Sequence, residues 1–307
     1  MAAGLTIAIP FHRDLHYLEQ AVRSALDQED GDLKLLVVDD GEQEQGVARL
    51  LEGFGDGRIS YHRNPTHLGM VRNWNQCLEL VETELVTLLH ADDQLLPGYT
   101  KLVRDLAGLN ETAVAVCCGA SIISAAGKSR FSTADAVKRF FVPRSDGPVT
   151  LRGEDGLSAI MAGNFIMCPT LCFRLSVLGQ RRFAQRWRQV QDLELTSRLL
   201  LDGDELIYTR AVAYAYRRHG AGATAQQSAS MLRFDEELEL FDIVAERAQA
   251  SGWLRAARIS QRKRIVRLHL AYRALGALLR GKPVRALQLL RYRRGDVRPE
   301  SEELPPA

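Results

Sequence analysis

Long hydrophobic runs are missing from this 307-residue chain. No stretch approaches the roughly 18 apolar residues that a membrane-crossing helix requires, so no such helix is expected. The N-terminus has no basic leader segment, only the short apolar run LTIAIP before the first charges. A secretory signal is therefore not expected, and the reading is cytoplasmic. Cysteine is sparse. Cys77, Cys117, Cys118, Cys168 and Cys172 are odd in number, form no Cys-x-x-Cys pair and have no nearby His. That excludes a disulfide framework and a zinc ribbon, and leaves reduced, buried small apolar residues. A net charge of one sign is lacking too, at +2, and no internal repeat is present.

What is there reads as globular. Apolar residues make up 46% and charged residues 25%, and the length suits one large domain, alone or with an appendage. The small net charge hides an asymmetry. From Arg255 to Arg298 the chain carries fourteen Lys and Arg against one acid, Asp296. A mildly acidic body with a basic C-terminal segment points to an anionic surface as partner.

Apolar runs and helical periods alternate along the first two thirds. LTIAIP (5–10), LKLLVVDDG (33–41), ISYHRN (59–64) and LVTLLHADD (85–93) read as strands. Between them HYLEQAVRSALDQ (16–28), GVARLLEGF (46–54) and GMVRNWNQCLELV (69–81) repeat at the helical period. The expected fold is α/β, with a mainly parallel sheet flanked by helices. Further on, 99–108, 153–163 and 192–203 read as helices, and 113–124, 168–174 and 205–220 as strands. The stretch 125–150 is irregular, 229–292 is helical throughout, and 298–307 reads as a disordered tail.

Two strands end in paired acids, Asp39-Asp40 and Asp92-Asp93. Ligands of parallel α/β sheets bind beyond the C-terminal strand ends. Two acidic pairs there make a negative mouth that a hard cation would neutralise. Carboxylate oxygens suit Mg²⁺ or Mn²⁺, which share coordination with substrate phosphates. The plainer reading of Asp39 and Asp40 is a turn before Gly41. A phosphoacceptor pocket of the response-regulator kind is disfavoured, because its acidic pair closes the first strand rather than the second.

Six ordered motifs over residues 4–220 resemble the family-2 glycosyltransferases, which have the GT-A nucleotide-sugar-binding fold. TIAIPFHRDLHYLEQAVRSALDQ is similar to the family's opening strand, Pro turn and helix. LKLLVVDDGE is similar to its second strand, NPTHLGMVRNWNQCLE to its Asn-Gly segment, and LVTLLHADDQLLPG to its metal-motif strand. VQDLELTSRLLLDG and YAYRRHGAGAT are similar to its catalytic helix and its closing Tyr-Arg-x-His strand end. The resemblance implies a GT-A catalytic domain over 1–225, followed by a basic helical segment over 226–297 and the tail 298–307. It implies that Asp40 hydrogen-bonds the nucleotide base, with the backbone around Pro10 and Phe11 lining the same slot. Asp92 would face the ribose. Asp93 would bind the divalent cation, Mn²⁺ or Mg²⁺, that bridges the diphosphate. Arg72 would reach the nucleotide or its phosphates, Asp192 would be the general base, and His219 would close over the diphosphate or the metal. Read as plain structure, Arg72 is an exposed helix charge, Asp192 a first-turn helix residue and His219 a solvated loop residue.

The implied reaction is transfer of a sugar from a nucleoside diphosphate sugar, a UDP-sugar foremost, to a glycan or lipid-linked acceptor in cell-envelope or other glycan synthesis. A base opposite the leaving group implies inversion. Departures are visible. Phe11-His12 replaces the usual Tyr-Asn, His90 stands where an Asp often is, Gln191 replaces an acid before Asp192, and Glu194 replaces the usual second Asp. A nucleotidyltransferase is the alternative enzyme class, though PFHRDLHY lacks the glycines of its phosphate loop. A catalytically inactive, membrane-associated binding protein is the other alternative. In the basic segment Ile265, Leu268, Tyr272, Leu275 and Leu279 form one helical stripe among cations. The stripe either lies on an anionic membrane surface, at the inner face of the cell membrane, or packs on the catalytic domain. Nucleic acid is not expected as a partner, since no recognition motif accompanies the charge.

Overall fold

The computed structural model describes residues 4–29, 32–41, 44–130, 141–219 and 231–294. The tail expected over 298–307, and the boundary expected at 225/226, lie outside the described residues. Three parallel strands open the sheet: β1 (Leu5–Phe11), β2 (Leu33–Asp39) and β3 (Ile59–Arg63). They alternate with α1 (Leu15–Leu26), α2 (Glu44–Glu52) and α3 (Met70–Leu80). β4 (Leu85–Leu88) joins β1 on its other side, again in parallel. β1 and β2 are apolar at nearly every position because both faces are covered. Ile7 and Ile9 point to one core together with Leu18 and Val22 of α1. Ala8 and Val38 point to the other, with Trp74 and Leu78 of α3.

The second half is mixed. The chain runs through β5 (Gln94–Leu95), α4 (Tyr99–Leu109), β6 (Ala115–Ser124), β7 (Val149–Leu151) and α5 (Gly153–Gly163). A 3-10 turn over Cys168–Thr170 replaces the first half of the strand expected at 168–174, and β8 (Leu171–Arg174) follows. β8 lies antiparallel between β4 and β6. After α6 (Leu175–Leu178) and α7 (Gln191–Leu201), the long β9 (Leu206–Arg218) pairs with β6 in parallel. The order is β3-β2-β1-β4-β8-β6-β9-β5, with β7 on β9. Because β8 reverses between β4 and β6, the C-terminal ends of β1, β2, β4, β6 and β9 come to one edge of the sheet. Gly119 marks a register shift between β6 and β9. A Cβ there would stand 2.8 Å from the carbonyl oxygen of Arg210, so only glycine lets the two strands approach.

The C-terminal helices are α8 (Leu232–Ala250), α9 (Leu254–Arg262), α10 (Arg264–Leu279) and α11 (Pro283–Leu290). Phe234, Phe241, Leu270 and Leu289 are buried in the same core as α3, α5 and α7. α10 turns its smaller residues inward: Val266, Leu270, Ala274 and Ala277 are buried. Of the stripe seen in the sequence, Ile265 is half-buried, while Leu268, Tyr272, Leu275 and Leu279 are exposed. The stripe therefore does not pack on the domain. No helix among the described residues is long and apolar enough to cross a membrane. All five cysteines are free thiols, and burial pushes Cys118 and Cys172 up to about 12, which keeps them unreactive.

A reciprocal pair of bonds ties α3 to the loop before α7. Asn75 Nδ2 donates to the Phe183 carbonyl at 2.9 Å, and the Phe183 amide donates to Asn75 Oδ1 at 3.0 Å. Asn75→Leu is expected to strand both buried backbone groups and lower stability by about 2–4 kcal/mol. Denaturant unfolding measures this as a reduced midpoint; an unchanged midpoint would mean that the loop re-pairs elsewhere.

Candidate active site

Five parallel strand ends deliver the functional side chains to one rim. Here the structure departs from the simplest reading of LVTLLHADD. The strand stops at Leu88, not at the acids. Leu89 still donates to the Ala8 carbonyl, and the chain then turns, closed by the Asp93 amide on the His90 carbonyl at 3.0 Å. β5 fastens the far side of this turn to β9. His90, Asp92 and Asp93 thus sit on a short, doubly anchored loop.

The two acids of this loop have opposite surroundings. Asp93 is 1% exposed. Its Oδ1 accepts the Arg217 amide at 2.7 Å and its Oδ2 the Tyr214 hydroxyl at 2.9 Å. Burial, then the neighbouring Asp92 charge, pushes its carboxyl well above the usual carboxylate range, against the pull of the Arg217 and Tyr214 bonds and the Arg217 charge. Asp92 is the open one, with 36% of its side chain exposed, and its Oδ2 meets His219 Nε2 at 2.9 Å. His219 is thereby placed at the site and packs on Tyr17 at 5.0 Å between ring centroids.

Arg217 holds this arrangement together and was not anticipated from the sequence. It is 3% exposed. Its Nε donates to the Asp92 carbonyl, its Nη1 to the carbonyls of Ser124 and Ala125, and its Nη2 to Gln20 Oε1 at 2.8 Å. The guanidinium also lies over the Tyr17 ring at 4.8 Å. Its sequence signal is its place as the Arg of the Tyr-Arg-x-His strand end, to which the sequence attaches no role.

His90 stacks on Trp74, 5.1 Å between centroids. Its Nε2 is buried without a hydrogen-bond partner. Burial keeps the imidazole neutral, against the opposing charges of Asp92 and Asp192. One ligand atom each from His90, Asp92 and Asp93 lies within 4.8 Å of the others. An Asp92 oxygen and a nitrogen of the neutral His90 ring, with Asp93 behind them, fit a divalent cation, and a nitrogen donor favours Mn²⁺ over the harder Mg²⁺.

A second group gathers at the ends of β1 and β2. Phe11 stands opposite Asp39 in register, with Pro10 beside it. Asp39 accepts the Gly41 amide at 2.8 Å and the Tyr61 hydroxyl at 2.9 Å. Asp40 accepts the amides of Leu68 and Gly69 and the Asn64 side chain, and so shapes the loop leading into α3. The buried Asn73 completes the corner, with its Oδ1 accepting from Asn64. Exposed His12 and His67 stand over Asp40, their rings 4.8 Å apart, and these three can also gather around an ion.

Asp192 lies in the first turn of α7, half-buried, its Oδ1 accepting the Leu193 amide at 2.8 Å. Its charge acts on His90 and on Cys168, which places it beside the acidic loop. Arg72 is exposed on α3 and donates to Gln185 at 2.8 Å, and it makes no described contact with the acidic loop.

The model of the family "Glycosyl transferase family 2" matches residues 6–164. An uncharacterized protein of Mycobacterium tuberculosis is 34% identical over 96 residues, 31% of this chain and 29% of that protein. The match thus spans less than a third of that relative's length. Among solved structures, S. aureus TarS in complex with UDP-GlcNAc is similar with a TM-score of 0.64 at 14% identity, over 93% of this chain and 81% of that one. The mannosyltransferase PcManGT of Pyrobaculum calidifontis, in complex with GDP-Man and Mn²⁺, has a TM-score of 0.60 at 16% identity, over 94% and 86%. At these identities the two structures share the fold.

The raised Asp93 carboxyl has a signed consequence for stability. Between the unfolded value of 3.8 and its higher folded value, the native protein binds more protons than the unfolded chain. Stability from this group therefore falls as pH rises through that window. In metal-free protein, Asp93→Asn is expected to match the wild type near pH 4 and to gain on it steadily toward neutrality, by about 1.4 kcal/mol for each pH unit of the window crossed. Thermal melts at several pH values measure the gap, and a gap independent of pH would contradict the assignment.

Proposed function

The chain belongs to glycosyl transferase family 2, and on that footing we propose that it moves a sugar from a nucleoside diphosphate sugar to an acceptor hydroxyl, with inversion, in the synthesis of a cell-envelope or other glycan. The observation that carries the proposal is the meeting of His90, Asp92, Asp93 and His219 on one rim, with Asp192 beside them. The similar structures hold UDP-GlcNAc, or GDP-Man with Mn²⁺, which supports a donor of the same chemical class.

The roles follow from the surroundings of each residue. Asp40 and Asn73 shape the loop at 64–69, which with Pro10 and Phe11 forms the slot assigned to the base. Asp92, the open carboxylate, and His90 hold the cation, while Asp93 stands behind and fixes the loop. Asp92 thus takes the cation-binding part that the resemblance implies for Asp93, because both Asp93 oxygens already accept bonds from β9. A divalent cation bound there supplies Lewis-acid stabilisation of the departing diphosphate. His219 closes the same side. Asp192 takes the proton from the acceptor hydroxyl, which is a weak nucleophile until deprotonated. A base acting opposite the leaving group would make the reaction a single displacement, which is the inversion proposed here.

Calorimetry with UDP and GDP, with and without Mn²⁺, tests this set. Mn²⁺-dependent binding of a nucleoside diphosphate is expected in the wild type and in Asp192→Asn, and is expected to be lost in Asp92→Ala. With a donor that turns over, Asp192→Asn should lower kcat by about 10²–10⁴. Absence of nucleotide binding by well-folded protein would remove the reading.

A further inference from the structure

Of the twelve large apolar side chains exposed among the described residues, eight lie between Leu268 and Leu290. Scattered exposed leucines need no explanation, but a contiguous group does. Leu268, Tyr272, Leu275 and Leu279 recur at the helical period along the outer side of α10, at 50%, 61%, 55% and 80% exposure. α11 packs against α10 and exposes apolar residues of its own, with Val284 at 70%, Leu287 at 47% and Leu290 at 59%. Both helices meet the protein through other residues, chiefly Ala274, Ala277, Ala286 and Leu289. The outward residues are thus left over after packing is complete.

The charge carried by these two helices is of one sign. Arg264, Arg267, Arg273, Arg280, Lys282 and Arg285 lie within α10, α11 and their connection, and no Asp or Glu does. The cations crowd one another: the charged form of Arg273 is disfavoured first by burial, then by the charges of Arg285, Arg233 and Arg280. A protein interface core would dilute such charge, and a nucleic acid would have no use for the leucines. An anionic bilayer takes both at once: apolar side chains enter the boundary between headgroups and acyl chains, and cations meet lipid phosphates.

We propose that α10 and α11 form a docking surface for an anionic lipid bilayer. The ridge of Leu268, Tyr272, Leu275 and Leu279 enters the leaflet, and the flanking Arg and Lys stay at its phosphate level. The surface works independently of the nucleotide cleft, so the proposal stands or falls without it.

Co-sedimentation of the full chain with phosphatidylcholine vesicles, with and without phosphatidylglycerol, is the test. Binding is expected to the mixed vesicles and to weaken as salt is raised. Leu275→Asp with Leu279→Asp is expected to weaken it by at least about tenfold, through lost apolar insertion and added negative charge. Arg280→Glu with Lys282→Glu is expected to do the same, since each cation near an anionic leaflet is worth roughly fivefold. All four positions are exposed, so unchanged circular dichroism melts should confirm the fold. Failure to bind mixed vesicles would overturn the proposal, as would variants that bind as well as the wild type. A concentration-dependent dimer that Leu275→Asp disperses, without vesicle binding, would instead assign the ridge to a second copy of the chain.

Discussion

The buried guanidinium of Arg217 is the constraint around which the cleft is built. Two adjacent carboxylates at a strand end repel each other, and one of them, Asp93, is almost wholly removed from water. Arg217 answers with its backbone amide on Asp93 and its side chain on the Asp92 carbonyl. The same side chain reaches the end of β6 and Gln20 of α1. One residue of β9 therefore ties together four parts of the chain that lie far apart in sequence. Removing one partner of such a network strands the others, because buried polar groups have no water to fall back on. These bonds offset only part of the cost of enclosing charge, as the raised Asp93 carboxyl shows, but they fix the position of the acidic loop.

Much of this fold can be read from residue periodicity. LTIAIP and LKLLVV are apolar on both faces, which in an alternating pattern means a sandwiched parallel strand. The first three βα units stand where the pattern puts them. The reversal at β8 could not be read, because LCFR is buried at every position, and a continuous apolar run does not encode direction. The premature end of β4 was hidden for a similar reason: Leu89 continues the apolar run while the backbone has already begun to turn. At the site, residue types were visible and their division of labour was not. Asp92 and Asp93 are identical as letters. Only the approach of β9, more than a hundred residues later, makes one a buried acceptor of backbone and hydroxyl bonds and leaves the other partly exposed beside His219. Arg217 stands in the same Tyr-Arg-x-His strand end as His219, but its bonds to Ser124, Ala125 and Gln20 depend on tertiary contacts that no local pattern encodes.

The C-terminal helices show a further limit of pattern reading. α10 carries two apolar stripes, one of Leu and Tyr and one of Val, Leu and Ala. Hydrophobicity alone favours burying the larger residues. Close packing chose the smaller ones, since Ala274, Ala277 and Ala286 let α10 and α11 lie close to the protein body. What is left outside is large, apolar and ringed by cations, so the net charge of +2 conceals two surfaces of opposite character.

His90 shows how the acidic rim limits its own charge. A third carboxylate at this position would add repulsion to the burial and the Asp92 charge that already raise the Asp93 carboxyl. A neutral imidazole, stacked on Trp74 and with Nε2 unpaired, offers a donor atom without a charge. With Asp93 committed to β9, the rim presents one open carboxylate and imidazole nitrogen, fewer donors than a hard divalent cation takes. In the proposed reaction a cation held by Asp92 and His90 would need further oxygen donors, which a nucleoside diphosphate would supply. Cation and nucleotide would then bind together more tightly than either alone, because each would complete what the sparse rim lacks for the other.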